Sequence, residues 1–325
     1  FQLKGYSQQK TAADFLPANA IVKEIFSAGE EFLEGVTMSP DGLLYFSDFP
    51  NFEGAPHKAG IIWTLDPKTG ESRVFRSPSG MSNGMKFDAN GDLVICEGGN
   101  FGGRSIVRTD FKTGKSYILA GLYNGKRFNS PNDLTIDEKG RIYFTDPRYL
   151  GPETIEQNGM NVYRIDTNGT VHLAAANIAK PNGVVLSPDQ KTLYVANNDY
   201  PGNGRAGFSF EANAVRPSGE GSVYAYDVKP DGSLQFRSVL ISYGSKGGPD
   251  GMTVDRDGNL YVALGNRVSI HTPDGKWVTD IQCPRATNLC FGRGPFRNTL
   301  FIAGGKSVYQ VETKKEGYLL PLANH

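Results

Sequence analysis

Apolar and polar residues alternate along this chain in short runs, and one run recurs six times. The copies read FLEGVTMSPDGLLYFSD (32 to 48), MSNGMKFDANGDLVICE (81 to 97), SPNDLTIDEKGRIYFTD (130 to 146), KPNGVVLSPDQKTLYVA (180 to 196), GPDGMTVDRDGNLYVA (248 to 263) and ATNLCFGRGPFRNTLFIAG (286 to 304). Most hold a short strand pattern, a turn such as Asp41-Gly42, Asn90-Gly91, Lys139-Gly140 or Asp257-Gly258, and then an apolar strand such as Leu44-Tyr45-Phe46 or Leu260-Tyr261-Val262. Asp-Gly and Asn-Gly supply the positive φ angles of tight hairpins, so the copies predict antiparallel pairs. A third strand follows in every unit, at 61–66, 105–110, 161–166, 222–227, 267–272 and 307–312, and a fourth leads onward, as at 72–77 and 115–120. The segment IVKEIF (21 to 26) precedes the first unit, where it would complete the last one by pairing the two ends of the chain. Such closure leaves only short, protected sheet edges.

Aligned on the repeated phrase, one position reads Glu34, Asn83, Asn132, Asn182, Asp250 and Asn288, at intervals of 49, 49, 50, 68 and 38 residues. A four-stranded propeller blade occupies about 40 to 50 residues. The predicted fold class is therefore all-β: a six-bladed β-propeller of four-stranded blades around a central channel, the ring closed by the N-terminal strand. It forms one domain over 1–325, with 1–20 as an N-terminal extension. Rotation relates equivalent positions in such a fold, so the six aligned residues form a ring. Oxygen donors around an axis are a place to hold a cation. Pro-Asn-Gly and Pro-Asp-Gly are also turn formers, and a turn between blades is the alternative from pattern alone. Against it, each unit already has its hairpin turn some eight residues further on.

Forty glycines and nineteen prolines in 325 residues agree with an all-β chain rich in turns, and the 38% apolar content is ample for a core. No long segment shows a 3.6-residue apolar period; Thr11 to Leu16 is expected to form at most a turn or two of helix. The formal net charge is zero, which removes the basic stripe that nucleic acid or an anionic membrane would require. No apolar run approaches the length of a membrane-spanning helix. The chain opens on Phe1 rather than Met, which suggests a processed start and a soluble, secreted or periplasmic protein after loss of a signal peptide, although the residues themselves do not settle the compartment. They do not give the oligomeric state either.

Three cysteines (Cys96, Cys283, Cys290) are too few for a disulfide framework or a zinc site and read as buried apolar residues, with a Cys283–Cys290 pair conceivable only between neighbouring strands. The four histidines, His57, His172, His271 and His325, lack metal-ligand spacing, and there is no G-x-S-x-G elbow for a serine hydrolase.

The run GKRFNSPNDLTIDEKGRIYFTDP (125 to 147), with KPNGVVLSPDQKTLYVANN (180 to 198) and GPDGMTVDRDGNLYVA (248 to 263), resembles the gluconolactonase, senescence marker protein and luciferin-regenerating enzyme-like family over nearly the whole chain. The resemblance implies a six-bladed propeller that holds one divalent cation, often calcium, and hydrolyses lactones, with other esters or organophosphates as occasional substrates. Carried over by motif, the metal ligands fall on Glu34, Asn132, Asn182 and Asp250. Hard oxygen donors without Cys or His favour calcium, magnesium or manganese over zinc; calcium is the expected ion, with magnesium, manganese or zinc as alternatives. The cation would polarise the carbonyl of a small-molecule lactone. Asp250 is the candidate general base, with attack by its own carboxylate as the alternative and Asp133 and Glu97 in reserve. Asn83, Arg127, Asn129, Tyr149 and Asn288 are candidates for contacting substrate, and 199–221 is a candidate lid loop. The segment CEGGNFGGRSIV (96 to 107) departs from the family pattern by placing glycines near the expected pocket, which leaves the identity of the lactone open. A non-catalytic propeller that binds a protein partner, and an organophosphate hydrolase or strictosidine-synthase-like enzyme in the same site, remain alternatives.

Overall fold

The computed structural model describes residues 10–30, 32–49, 60–200 and 219–323. Four of the repeated units are four-stranded antiparallel sheets. The first runs Phe32–Met38, Leu44–Phe49, Ile61–Leu65, Ser72–Arg76, and the second Ser82–Phe87, Leu93–Glu97, Ser105–Thr109, Ser116–Ala120. The third is Leu134–Ile136, Ile142–Asp146, Asn161–Ile165, Val171–Ala175, and the fourth Pro181–Leu186, Thr192–Asn197, Gly221–Val228, Leu234–Gly244. The only helical elements among the described residues are two 3-10 turns, Ala12–Asp14 and Gly294–Phe296.

The last two units share one seven-stranded sheet because a single strand, Trp277–Phe291, serves both. Its first part pairs with Gly265–His271, and residues 286–291 pair with Thr299–Gly304. At the far edge Lys23–Phe26 pairs antiparallel with Ser307–Glu312, in register Lys23 with Gln310 and Glu24 with Tyr309. The N-terminal segment thus becomes the outer strand of the last unit. Phe26 is buried among Leu33, Val36 and Phe46 of the first sheet and Phe301 and Val308 of the last, its ring 4.9 Å from that of Phe46. Apolar contact across this junction ties the two chain ends together.

The burial pattern follows the order within each sheet. Second strands such as Leu44–Phe49 and Thr192–Asn197 are buried along their whole length, whereas fourth strands such as Ser72–Arg76 and Ser116–Ala120 face solvent. A strand covered on both faces reads as a nearly continuous apolar run, which is how the second strands look in sequence. The first strands line the interior in cyclic contact: Phe32–Met38 touches Ser82–Phe87, then come Leu134–Ile136, Pro181–Leu186 and Met252–Val254, and the shared strand Trp277–Phe291 returns to Phe32–Met38. At one end of these strands the segment 317–323 crosses the interior, with Tyr318 N donating to Val254 O (3.0 Å), Arg293 Nη2 to Leu320 O (3.3 Å) and Ala323 N to Ala89 O (2.7 Å). The candidate site occupies the other end.

All three cysteines are buried free thiols, so Cys283 and Cys290 do not pair. His271 is a packing residue, with Nε2 3.0 Å from the Tyr243 hydroxyl and burial holding its pKa below the usual histidine range; His57 and His325 lie outside the described residues.

Candidate functional site

The aligned residues stand at the same end of the inner strands, and the residue that follows each one governs how closely those strands approach. Glycine follows four of the six. A Cβ on Gly35 would lie 2.0 Å from the carbonyl oxygen of Asn83, one on Gly84 2.3 Å from Asp133 Oδ1, one on Gly183 2.2 Å from the carbonyl oxygen of Asp250, and one on Gly251 2.6 Å from Asn288 Cγ. The dipeptides Glu-Gly, Asn-Gly and Asp-Gly therefore mark close approach between neighbouring units rather than turns between them. Hydroxyl groups fasten the same contacts: Ser47 Oγ donates to Asn83 O (2.8 Å), Thr145 Oγ1 to Asn182 O (2.6 Å) and Thr287 Oγ1 to Leu33 O (2.7 Å).

Held this way, Glu34, Asn83, Asn132, Asn182 and Asp250 line one chamber of about 390 Å³, with Phe32, Phe49, Met81, Tyr149, Leu150, Tyr200 and Arg285 also in its wall. Asn288 is almost fully buried and does not line the chamber. Its Oδ1 accepts from Leu289 N at 2.8 Å. Tyr149 is at the wall: Asn182 Nδ2 donates to its hydroxyl at 2.8 Å, and Lys180 Nζ lies 4.1 Å from its ring centroid. A cation over an aromatic face is attracted by the ring quadrupole.

Three acids crowd together here, Glu34 and Asp250 in the chamber wall and Asp133 buried outside its lining. Burial, then the charges of Asp250 and Asp133, hold the Glu34 carboxyl well above the usual carboxylate range, partly offset by Gly35 N and Asn288. Burial and the charge of Asp133 push Asp250 up to about 8, with Asn182 pulling the other way. Asp133 is itself raised by burial, although Lys86, the backbone N–H groups of Leu134 and Val184, and Asn288 oppose that. Asp133 Oδ2 and Asn83 Oδ1 are buried with no hydrogen-bond partner among the described residues. Buried oxygens are normally satisfied, so orphaned acceptors beside mutually repelling carboxyl groups fit a cation. No group of three or more His, Cys, Asp or Glu side chains arranged to hold a metal occurs among the described residues. The wall instead sets two carboxyl groups among side-chain amides, a combination whose chemistry fits a hard cation such as calcium or magnesium.

Not every expected residue reaches the chamber. Arg127 and Asn129 do not line it. The hairpin of Leu122–Tyr123 with Lys126–Arg127 carries Arg127 to the surface, where Nη2 donates to Gly103 O (2.6 Å). Asn129 is buried in a structural role, with Nδ2 donating to Asp146 O (3.1 Å) and Gly159 O (2.9 Å). Glu97 pairs with Arg76 at 2.9 Å and is also absent from the lining. Of the candidate lid at 199–221, residues 201–218 lie outside the described residues; Tyr200, at its start, is in the wall.

Sequence reasoning missed Arg285, Phe32, Phe49 and Met81, and left the role of the glycines at 98–103 open. Gly98, Gly99 and Asn100 are wall residues, and a Cβ on Gly99 would lie 2.2 Å from Nη1 of the fully buried Arg148. Arg148 in turn pairs with Glu153 at 2.9 Å, and Glu153 Oε2 accepts from Asn100 N at 3.2 Å. The glycines are the room that this backbone-to-guanidinium packing needs.

The sequence profile of the SMP-30/gluconolactonase/LRE-like region matches residues 32–306. The gluconolactonase of Zymomonas mobilis is 32% identical over 316 residues, covering 90% of this chain and 82% of that protein. Among solved structures, a gluconolactonase from Xanthomonas campestris is 28% identical with a TM-score of 0.76, covering 94% of this chain and 93% of the other. The calcium-binding protein regucalcin from Agrobacterium tumefaciens is 18% identical with a TM-score of 0.71, covering 94% and 98%, a likeness of fold. No helix among the described residues is long and apolar enough to cross a membrane.

Proposed function

The chain belongs to the SMP-30/gluconolactonase/LRE-like family, and from that premise we propose that it is a single-domain six-bladed propeller that hydrolyses a sugar lactone to its aldonic acid. In this reading Glu34, Asn132, Asn182 and Asp250 hold one divalent cation, calcium foremost. Relatives named gluconolactonase support the reaction class, and the cyclic contact of the inner strands supports the blade count.

The observation that carries the reading is the chamber itself: two carboxyl groups, Glu34 and Asp250, face one space together with the amides of Asn83, Asn132 and Asn182. When bound, the cation supplies Lewis-acid polarisation of the lactone carbonyl and stabilises negative charge developing on its oxygen. Asp250 takes the proton as water attacks the carbonyl carbon, and the ring C–O bond then breaks, its oxygen leaving protonated as the new hydroxyl group. A raised carboxyl pKa matches the task of a base near neutrality, while contact with the cation opposes it. Attack by the Asp250 carboxylate itself is therefore the competing step. Tyr149 holds the Asn182 amide in place. Asn83, with its free carbonyl oxygen at the wall, is positioned for a substrate hydroxyl.

The deciding experiment is hydrolysis of a lactone panel by metal-stripped protein, before and after calcium, magnesium, manganese or zinc, with Asp250→Ala as control. Activity that needs a metal and is lost in the variant supports the proposal. A folded protein that opens no lactone with any of these ions refutes it.

A further inference from the structure

Resting on the lactonase reading, we infer that Arg285 makes this chamber selective for lactones carrying an anionic substituent, a phosphate or a carboxylate, away from the ester. Arg285 is the only Lys or Arg in the wall described. Arg285 is exposed, and among the described residues no ion pair or side-chain hydrogen bond engages its guanidinium, which leaves it available to a ligand.

The backbone aims this side chain deliberately. Arg285 has φ of 50°, in the left-handed region that non-glycine residues seldom occupy and that clusters at ligand sites. It lies in a bulge of the long strand: Arg267 pairs with Gln282 and Gly265 with Ala286, so the three residues 283–285 stand opposite the single Asn266. A bulge re-aims a side chain at the cost of local ladder pairing. Gly304, at the end of the next strand, and Gly305, in the turn that follows, make room for it. A Cβ on Gly304 would meet Pro284 O at 2.4 Å, and one on the positive-φ Gly305 would meet Arg285 Cδ at 3.4 Å, so the arginine stem lies across Gly305.

Charge supports the same assignment. Glu34 and Asp250 are the acids of the wall assigned to the cation, which leaves Arg285 as the wall's charged group able to pair with an anionic substituent. Arg285 is exposed, so it stands where the chamber meets solvent and can meet an anionic substituent that projects outward from the ester. A planar guanidinium matches the paired oxygens of phosphate or carboxylate better than the single hydroxyls of a neutral sugar.

The test compares glucono-1,5-lactone with its 6-phosphate and with a carboxymethyl-substituted butenolide, using wild type, Arg285→Ala and Arg285→Lys. We expect kcat/KM for at least one anionic lactone to exceed that for the neutral one by about tenfold or more, a gap that Ala closes and Lys only narrows. Equal effects of Arg285→Ala on charged and neutral lactones, or a wild-type preference for the neutral one, would overturn the inference. Calorimetric binding of 6-phosphogluconate against gluconate reads Arg285 without turnover. If no lactone is opened but phosphogluconate binds about tenfold tighter through Arg285, the lactonase reading fails and the anion site stands; equal binding of the two acids removes the anion site whatever the lactones do.

Discussion

The side-chain amide of Asn182 donates to the hydroxyl of Tyr149 at 2.8 Å, which fixes which way that amide faces in the chamber. An amide held by its N–H end presents its carbonyl oxygen elsewhere, and a cation requires the oxygen. Tyr149→Phe removes the acceptor and nothing else. The expected result is a several-fold weaker calcium affinity, corresponding to about 1 kcal/mol for one hydrogen bond, with little change in the melting temperature of metal-free protein. Isothermal calorimetry and a thermal melt decide it; calcium binding indistinguishable from wild type would show that Tyr149 does not orient Asn182.

Glu34 and Asp250 should oppose folding when the site is empty and support it when a cation is present. Their raised carboxyl groups record the cost of burying charge beside charge. Asp250→Asn is therefore expected to leave chelated protein at least as stable as wild type, to abolish most of the stabilisation by added calcium, and to lower kcat/KM by about 100-fold or more. A variant that is less stable without metal yet still melts higher with calcium would mean that Asp250 is a structural acid and not a ligand.

The same groups give a signed pH dependence. Asp250 titrates near 8 in the folded protein, above the ordinary aspartate value of 3.8, and Asp146, pushed up to about 7 by burial, acts in the same direction. Between the unfolded and folded values the folded chain holds protons that the unfolded chain lacks. Their contribution to stability is therefore full below about pH 4 and is lost as pH rises through 7 to 8. Chelated protein is expected to melt at a lower temperature at pH 8.5 than at pH 5.5. Calcium should raise the melting temperature most at the higher pH, and Asp250→Asn should flatten the chelated profile only in part, because Asp146 remains. A flat or rising profile for chelated wild type contradicts this account.

The repeat was legible because its determinants are local. Hairpins at Gly42, with φ of 93°, and Gly91, with φ of 83°, depend on a few neighbouring residues, and so do the apolar second strands. The aligned ring position was legible for the same reason. Arg127 misses the chamber because the hairpin Leu122–Tyr123 with Lys126–Arg127, a small sheet outside the repeated four strands, sets its direction, and Asn129 because its amide is bound to Asp146 O and Gly159 O, 17 and 30 residues away. Arg285 escaped notice because a bulge, which has no sequence signature of its own here, turns it toward the chamber. The glycines at 98–103 signalled only an absence of side chains; their cause, Arg148 and Glu153 packed against the loop, lies about 50 residues further along the chain.

The glycines after the ring residues allow the last test. Gly183 sits in the strand Pro181–Leu186, it is not among the glycines with positive φ, and the Cβ of an alanine there would stand 2.2 Å from the carbonyl oxygen of Asp250. The obstacle is backbone, so neither side can yield without spreading the two inner strands that carry Asn182 and Asp250. Gly183→Ala is expected to cost about 1–3 kcal/mol, the usual range for overpacking, and to weaken calcium binding, because the two ligands move apart. Gly114 provides the contrast: its φ of 69° strains an alanine, but nothing lies within 4 Å of the added carbon. Gly114→Ala should cost about 1 kcal/mol through backbone conformation alone and leave calcium affinity as it was. Thermal melts and calcium titrations of the pair separate strand approach from backbone strain. If both variants lose stability but neither loses calcium affinity, the spacing of the inner strands does not set the geometry of the site.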